Sequence, residues 1–181
     1  VAASLSSLSK NSAELILKAY ETWGLDFLSK LEGDFAFALF DHEKGIILLA
    51  RDRIGKKPLY WYQESNYFIF GSEIKALLAS GIVPQTPSEE GLSSYLFFGY
   101  IPQDLSPIKN VNKLLPAHYL QFRLNSGISI HPYWSYSSFF EKKTSAKPEE
   151  ITNRLNDLIT EAVQQDLPPV SSKVGSFISG G

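Results

Sequence analysis

The most charge-dense segment beside an apolar strand is Arg51-Asp52-Arg53, which directly follows the apolar residues 46–50. Charges that lie close to a core must be paired. One interpretation is therefore a set of buried or half-buried ion pairs that hold a turn. The other is a polar cluster at a substrate channel or a domain interface. The structural interpretation is favoured here, and it is favoured in the same way for Lys56, Lys57 and Glu73.

The three histidines form no catalytic or metal-binding pattern. His118 stands at the start of a predicted strand, with no carboxylate or nucleophile near it in sequence. We therefore interpret it as structural. No two histidines have the spacing of metal ligands, so a metal site built from these side chains is not expected. The sequence has no cysteine, and these residues therefore supply neither a thiol nucleophile nor a disulfide.

A glycine loop ends the sequence. The apolar residues 174–178 predict a short buried strand, and Ser179-Gly180-Gly181 follows it directly. Glycine lets backbone N–H groups approach phosphate oxygens with no side chain in the way. This pattern alone is weak evidence for nucleotide binding, because many strands end in such residues.

The elements around these residues are mostly strand pairs. In segment 35–40, Phe35, Phe37 and Leu39 alternate with smaller or aromatic apolar residues, so both faces are apolar. That pattern predicts a strand buried between two layers. A turn at 41–45 and a second apolar run at 46–50 complete a hairpin. Further strand pairs are predicted at 59–62 with 67–71, and at 120–124 with 128–131 around Gly127.

Helical spacing occurs in several segments. Leu15, Ile16, Ala19, Tyr20 and Trp23 predict a helix that begins at Asn11 or Ser12 and ends at Gly24, and residues 25–31 predict a further helical turn.

Three later helices are predicted as well. Ser72 should cap a helix over 73–78, and the acidic residues after Ser88 should open a helix with Leu92, Tyr95 and Leu96 on its apolar face. A last helix should begin at Pro148 and stop before Pro168, after a polar linker at 135–147.

Composition indicates a soluble globular protein, with 44% apolar and 20% charged residues. The net charge of −2 gives no field that would favour nucleic acid or an anionic membrane. No apolar run is long enough to span a bilayer, and residues 1–10 lack the pattern of a signal peptide. Because the sequence starts with Val1 and stops just after an apolar run, we expect an internal fragment of a longer protein.

Three motifs together resemble a known family. They are G-D-F-A-F-A-L-F-D at 33–41, L-A-R-D-R-I-G-K-K-P-L-Y at 49–60 and G-S-E-I-K-A-L-L at 71–78. Their order and spacing resemble the class II glutamine amidotransferase domain of glutamine-hydrolysing asparagine synthetases. The F-G-Y-I-P segment at 98–102 and the run at 108–119 are similar to that family too. In this context Ser179-Gly180-Gly181 resembles the start of the family's S-G-G-x-D-S pyrophosphatase loop.

The resemblance implies a particular domain organisation. Residues 1–147 would be the C-terminal part of the amidotransferase domain with its linker, an incomplete α+β N-terminal-nucleophile sandwich of α-β-β-α layers. Residues 148–181 would supply the first helix and strand of a doubly wound α/β ATP-pyrophosphatase domain. Ile178, Ser179, Gly180 and Gly181 would then contact ATP.

The resemblance also implies an activity for the parent protein, which would make asparagine from aspartate, glutamine and ATP. An upstream N-terminal cysteine would attack the glutamine amide, and Mg²⁺ would bind the pyrophosphate through ligands outside these residues. Cytoplasmic location follows from the family, a homodimer is compatible with it, and no catalytic residue is assigned within the 181 residues. We expect the chain to be inactive by itself.

Two departures from the family pattern bear on activity. The family carries Ser-Asp-x-Glu at the start of the first helix, where the Asp binds the amino group of glutamine, and Ser12 occupies that Asp position here. Either glutamine binding is weakened, or the local alignment slips by one residue, or the copy is degenerate. Residues 171–173 are Ser-Ser-Lys where the family usually has Asp-Val-Pro.

Two alternatives remain open on the sequence. One is a related ATP-dependent amide- or lactam-forming enzyme whose amidotransferase-like domain has lost its glutaminase activity. The other is a degenerate homologue that serves as a non-enzymatic interaction subunit.

Overall fold

The computed structural model describes residues 11–64, 66–102, 104–140, 144–167 and 173–177. The chain divides into two compact units, Val1–Tyr136 and Ser137–Gly181. The boundary predicted at residue 147 separates an amidotransferase domain from an ATP-binding domain. The division into compact units does not test that boundary, which stays a prediction. No helix in the described ranges has the length and hydropathy needed to cross a bilayer.

The first unit begins with the expected helix. Helix α1 spans Ser12–Trp23, and the side chain of Asn11 caps it by accepting a hydrogen bond from the backbone N–H of Ala13. Gly24 ends it with a positive φ of 55°. A 3-10 helix over Gly24–Lys30 follows and buries Phe27 and Leu28. Both predicted helical segments are thus confirmed, the second with 3-10 geometry.

A four-stranded antiparallel sheet forms the centre of this unit. Its strands are β1 (Ala36–Asp41), β2 (Ile46–Arg51), β6 (His118–Arg123) and β7 (Gly127–Pro132), in the order β1-β2-β6-β7. Strand β2 pairs with β1 on one side and with β6 on the other, and β6 pairs with β7. Both predicted hairpins of this sheet are confirmed.

A second, three-stranded antiparallel sheet follows the first hairpin in sequence. It contains β3 (Tyr60–Glu64), β4 (Tyr67–Gly71) and β5 (Val111–Lys113), in the order β4-β3-β5. Between β4 and β5 lie helix α2 (Ile74–Ala79) and helix α3 (Glu89–Phe98). The side chain of Ser88 caps α3, as expected for a serine before two acidic residues.

Among the described residues of this unit, the core consists of three apolar clusters separated by the sheets. The first lies between the N-terminal helices and the four-stranded sheet and includes Phe27 and Leu48. The second lies between the two sheets, where Leu49 packs with Leu120. The third covers the far face of the three-stranded sheet, where Tyr62 packs with Leu77 of α2. The layers of this unit therefore run helix, sheet, sheet, helix.

Aromatic stacking joins the two sheets. The rings of Phe68 and Phe122 are nearly parallel, 13° apart in orientation, with centroids separated by 4.3 Å. Such a pair contributes beyond its buried area because the offset ring faces attract each other. Adjacent residues of β2 point to opposite clusters, as the period of a strand requires.

Some sequence predictions about this unit are wrong. Strand β1 is not buried on both faces, because it is an edge strand of the described sheet and exposes Ala38 and Phe40. Ser72 does not cap α2; Glu73 occupies the N-cap position without a side-chain hydrogen bond. Glu73 instead pairs with Lys75 at 2.7 Å.

The described part of the second unit contains two helices. Helix α4 (Ser137–Phe140) lies within the segment predicted as a linker, and helix α5 spans Pro148–Asp166. Pro148 stands in the first turn of α5 with Glu149 and Glu150, as predicted. Residues 173–177 contain no strand, so the strand predicted at 174–178 is wrong over its described part. All five of these residues are exposed, whereas the prediction required a buried strand.

Candidate active site

Ser12, which the sequence motif predicts at the position of the family's glutamine-binding Asp, is the first residue of α1 and is exposed. Its neighbour Asn11 uses its side-chain oxygen for the helix cap. Glu14 is the acidic residue of the first turn. A serine hydroxyl can accept a hydrogen bond from an ammonium group, but it adds no charge. The helix start therefore offers a neutral contact where an aspartate would offer a charge-assisted one.

A polar cluster fixes α1 against the first hairpin. Tyr20 donates from its hydroxyl to a carboxylate oxygen of Asp41 at 2.8 Å, and Lys44 forms an ion pair with Asp41 at 2.9 Å. The backbone N–H of Lys44 and its ammonium, together with the Tyr20 hydroxyl, lower the pKa of Asp41 to about 2. The pKa of Tyr20 is raised, first by burial and then by its bond to Asp41. Ser12 is thereby carried on a helix whose position on the sheet is set.

The charged turn after β2 is held by many hydrogen bonds. Arg51 and Asp52 are buried, with only 7% and 2% of their surfaces exposed. The Arg51 guanidinium donates to three backbone carbonyls, those of Lys57 at 2.7 Å, Leu114 at 2.6 Å and Gly55 at 2.5 Å. Burial lowers the pKa of Arg51, while the charge of Asp52 opposes that shift.

The carboxylate of Asp52 lies at the centre of the turn and binds its backbone N–H groups. Its oxygens accept hydrogen bonds from the backbone N–H groups of Ile54, Lys56 and Lys57 at 3.2, 2.9 and 3.0 Å. Burial alone would raise the pKa of Asp52, but these backbone donors outweigh it and the pKa is lowered. The carboxylate is thus held ionised inside the fold.

Gly55 is required at the tip of this turn. It has a positive φ of 73°, which side-chain-bearing residues rarely adopt. A Cβ atom there would lie 2.7 Å from Cγ of Pro116 and 3.0 Å from the guanidinium carbon of Arg51. The turn can therefore close on Arg51 only with glycine at this position.

The same turn is tied to distant parts of the chain. The backbone carbonyl of Asp52 accepts from the N–H of Ala117 at 2.9 Å, and Tyr133 donates from its hydroxyl to the carbonyl of Arg51 at 2.7 Å. Burial raises the pKa of Tyr133 to about 12. Arg53 donates to the carbonyl of Ser29 at 2.9 Å and lies over the ring of Trp134.

These contacts decide between the two interpretations of Arg51-Asp52-Arg53. The segment holds a turn, as the structural interpretation expected. The mechanism differs from the expected one, because the hydrogen bonds of Arg51 and Asp52 go to backbone groups rather than to an opposite charge. Lys56 does form an ion pair, with Asp34 at 2.7 Å.

His118 contacts a backbone carbonyl in the described structure, whereas the glycine loop falls outside the described ranges. His118 begins β6, and its Nδ1 lies 2.7 Å from the carbonyl oxygen of Pro116. The described residues contain no cluster of three or more His, Cys, Asp or Glu side chains that could hold a metal. Ile178, Ser179, Gly180 and Gly181, the predicted ATP contacts, lie outside the described residues.

Sequence reasoning missed a cavity of about 710 Å³ beside the start of α3. Its walls include Trp61 and Gln63 of β3, Glu89 of α3, and Lys109 and Asn112 around β5. The lining is mostly polar, so the cavity is suited to a small hydrophilic molecule rather than to an apolar one. The positive φ of Asn110 shapes this rim, and asparagine is one of the few residues that adopt it readily.

Comparison with known proteins identifies the family of this chain. A family model described as "Glutamine amidotransferase domain" matches residues 3–134. The chain belongs to this family of glutamine amidotransferase domains.

Several curated proteins match most of the chain. A putative asparagine synthetase [glutamine-hydrolyzing] 2 of Methanocaldococcus jannaschii is 36% identical, with 93% of this chain and 32% of the relative covered. Asparagine synthetase [glutamine-hydrolyzing] 3 of Bacillus subtilis is 34% identical, with 94% and 27% covered. Amidase chry2 of Gibberella zeae is 33% identical, with 94% and 25% covered.

The chain thus spans between a quarter and a third of the length of these relatives. The family resemblance read from the three motifs is confirmed.

Proposed function

We propose that this chain is part of an ATP-dependent, glutamine-hydrolysing asparagine synthetase. The parent protein would convert aspartate, glutamine, ATP and water into asparagine, glutamate, AMP and pyrophosphate. The carrying observation is the similarity to two proteins with that name over 93% and 94% of the chain. The similarity therefore extends beyond residues 3–134, the part that matches the amidotransferase family.

In this proposal the layered unit is an incomplete N-terminal-nucleophile sandwich. A cysteine outside the 181 residues attacks the glutamine amide, and water releases glutamate from the thioester. Ammonia then reaches a second site, where ATP has activated the aspartate carboxylate as an acyl-adenylate. The residues after 147 begin that ATP-binding part, with Mg²⁺ on the pyrophosphate. Ile178, Ser179, Gly180 and Gly181 open its phosphate loop.

The described residues have supporting roles in this scheme. Ser12 would meet the amino group of glutamine and offer its hydroxyl, and its exposed place at the start of α1 supports this role. The Arg51–Asp52 turn keeps the strand ends of the four-stranded sheet in place through its bonds to Leu114 and Ala117. The chain contains no cysteine, so we expect no glutamine hydrolysis from the 181 residues alone.

The two alternatives considered on the sequence are not favoured. The relatives with 36% and 34% identity carry the name of asparagine synthetases across this same span. Amidase chry2, a relative with a different name, matches at 33% identity, slightly below both synthetases. The asparagine synthetase is therefore the function proposed.

The test uses the complete protein with aspartate, ATP, Mg²⁺ and glutamine. We expect asparagine, glutamate, AMP and pyrophosphate to appear together, and ammonia to replace glutamine as nitrogen donor. Absence of asparagine with both donors would contradict the proposal. Glutamate release by the isolated 181 residues would contradict only the expectation that they are inactive.

A further inference from the structure

Helix α3 and the residues after it expose an unusual number of large apolar side chains. We call the exposed Leu92, Tyr95, Leu96, Phe97, Phe98 and Tyr100 the aromatic surface. Phe97 and Phe98 stack edge to face with centroids 4.7 Å apart, and Phe98 lies 6.0 Å from Tyr100. The rings of Phe97, Phe98 and Tyr100 therefore form a contacting series, and Leu92 and Leu96 lie one helical turn apart on α3. A contiguous exposed apolar patch of this kind marks an interaction site.

The aromatic surface is held in a set orientation. The backbone N–H of Ser88 donates to the carbonyl of Pro107 at 2.9 Å. One turn later, Gly91 is buried so tightly against Ser106 that any Cβ atom would overlap its carbonyl oxygen. At the other end, Lys113 donates to the carbonyl of Ile101 at 3.1 Å. A partner therefore meets a preorganised surface, which lowers the entropy cost of binding.

The composition of the surface is that of an interface core. No Asp, Glu, Lys or Arg occurs from Gly91 to Pro102. Tyr and Phe are enriched at the buried centres of interfaces, where charged residues are depleted. Leu96 has 84% of its surface exposed, so its side chain contributes almost no hydrophobic stabilisation unless a partner covers it.

We infer that the aromatic surface is covered, in the complete protein, by the part of the same polypeptide that lies outside these 181 residues. The relatives of this chain are three to four times its length, so a large remainder is available to cover it. The inference rests on the proposed function in one respect, that this remainder is the ATP- and aspartate-binding part. An intramolecular partner is favoured over a separate protein because covalent linkage gives it a high effective concentration.

The first test is hydroxyl-radical footprinting of the complete, unaltered protein. Tyr95 and Tyr67 form a matched pair, with 53% and 52% of their surfaces exposed in this structure. We expect Tyr95 to be oxidised about tenfold more slowly than Tyr67, since reaction would require transient opening of the interface. Equal oxidation of the two tyrosines would overturn the inference.

The second test compares introduced thiols in the complete protein. Leu96→Cys lies on the aromatic surface, and Leu124→Cys, at 80% exposure, is its control on the β6–β7 turn. Alkylation at each position is followed by peptide mass spectrometry, in native buffer and in urea. We expect protection at position 96 only, and only in native buffer. Equal labelling at both positions in native buffer would refute the inference.

Dilution of the protein distinguishes coverage by the same polypeptide from coverage by a second copy. Protection that persists at concentrations where the protein is monomeric supports coverage by the same polypeptide. Protection that disappears on dilution would mean that a second copy covers the surface, and the inference would be wrong. Because neither readout needs activity, a protein that is protected but makes no asparagine would contradict the proposed function alone.

Discussion

Replacing the buried Asp52 by Asn should destabilise the amidotransferase unit. The native carboxylate accepts three backbone N–H bonds, two at Oδ1 and one at Oδ2. An amide can keep the two bonds to one oxygen, but its NH₂ group then faces the N–H of Lys57. Bonds to a charged group contribute about 1.5–3 kcal/mol and neutral ones about 1 kcal/mol, so we expect a loss of about 3 kcal/mol.

The stability difference between the native protein and Asp52→Asn should depend on pH in a defined direction. The folded pKa of Asp52 is lowered, so its ionised form contributes stability above the unfolded pKa near 3.8 and loses it as the pH falls through the folded value. The difference between native protein and Asp52→Asn should therefore be full at pH 7 and shrink below pH 3.8. That sign distinguishes a bound carboxylate from a general packing defect.

Urea unfolding, followed by tryptophan fluorescence at a series of pH values, measures the free energy of unfolding in each case. The control is Asp26→Asn, an exposed aspartate in the 3-10 helix, which should change stability by less than about 0.5 kcal/mol. Equal effects of the two substitutions at pH 7, or a difference independent of pH, would refute the reasoning about Asp52.

Three further substitutions test other parts of the site. Gly55→Ala should lower the free energy of unfolding by about 2–3 kcal/mol through strain and the clash with Pro116, whereas Gly45→Ala, with positive φ but open space, should cost about 1 kcal/mol in the same urea assay. Tyr133→Phe should cost about 1 kcal/mol and abolish the tyrosine that titrates near pH 12 in ultraviolet absorbance; the stabilisation by the neutral phenol should be lost as pH rises from 10 toward 12. In the complete protein, Ser12→Asp should lower the KM for glutamine about fivefold in a glutaminase assay, and an unchanged KM would mean that this residue does not meet the amino group.

Local patterns predicted the strand pairs well because each strand carries its own alternation and turn. Phe37 and Ala50 pair as the hairpin requires, and Gly127 has the positive φ that its turn needs. The exposed face of β1 could not be foreseen, because an apolar alternation does not say which neighbours are present. For the same reason α3 has its predicted apolar face, yet that face is exposed.

The candidate site was predictable in part. The motif L-A-R-D-R-I-G-K-K-P-L-Y indicated a buried charged turn, but the sequence could not say that Arg51 reaches Leu114, since that contact joins distant segments. The cavity beside α3 depends on three such segments meeting, and no local signal marks it. Ser12 was located correctly at the helix start because capping residues act locally.

The guanidinium of Arg51 has a consequence for how the chain acquires its structure. Its carbonyl partner at Leu114 is 63 positions away, so the closed turn is complete only after most of the first unit has assembled. Because loop-closure entropy must be paid before such a contact contributes, we expect this hydrogen bond to form after the rate-limiting barrier. Weakening it should therefore raise the unfolding rate, which shifts the unfolding arm of a chevron plot upward without changing its slope, and leave the refolding rate almost unchanged. The Arg51 turn would therefore determine the unfolding rate, and with it the lifetime of the native state, but not the folding rate.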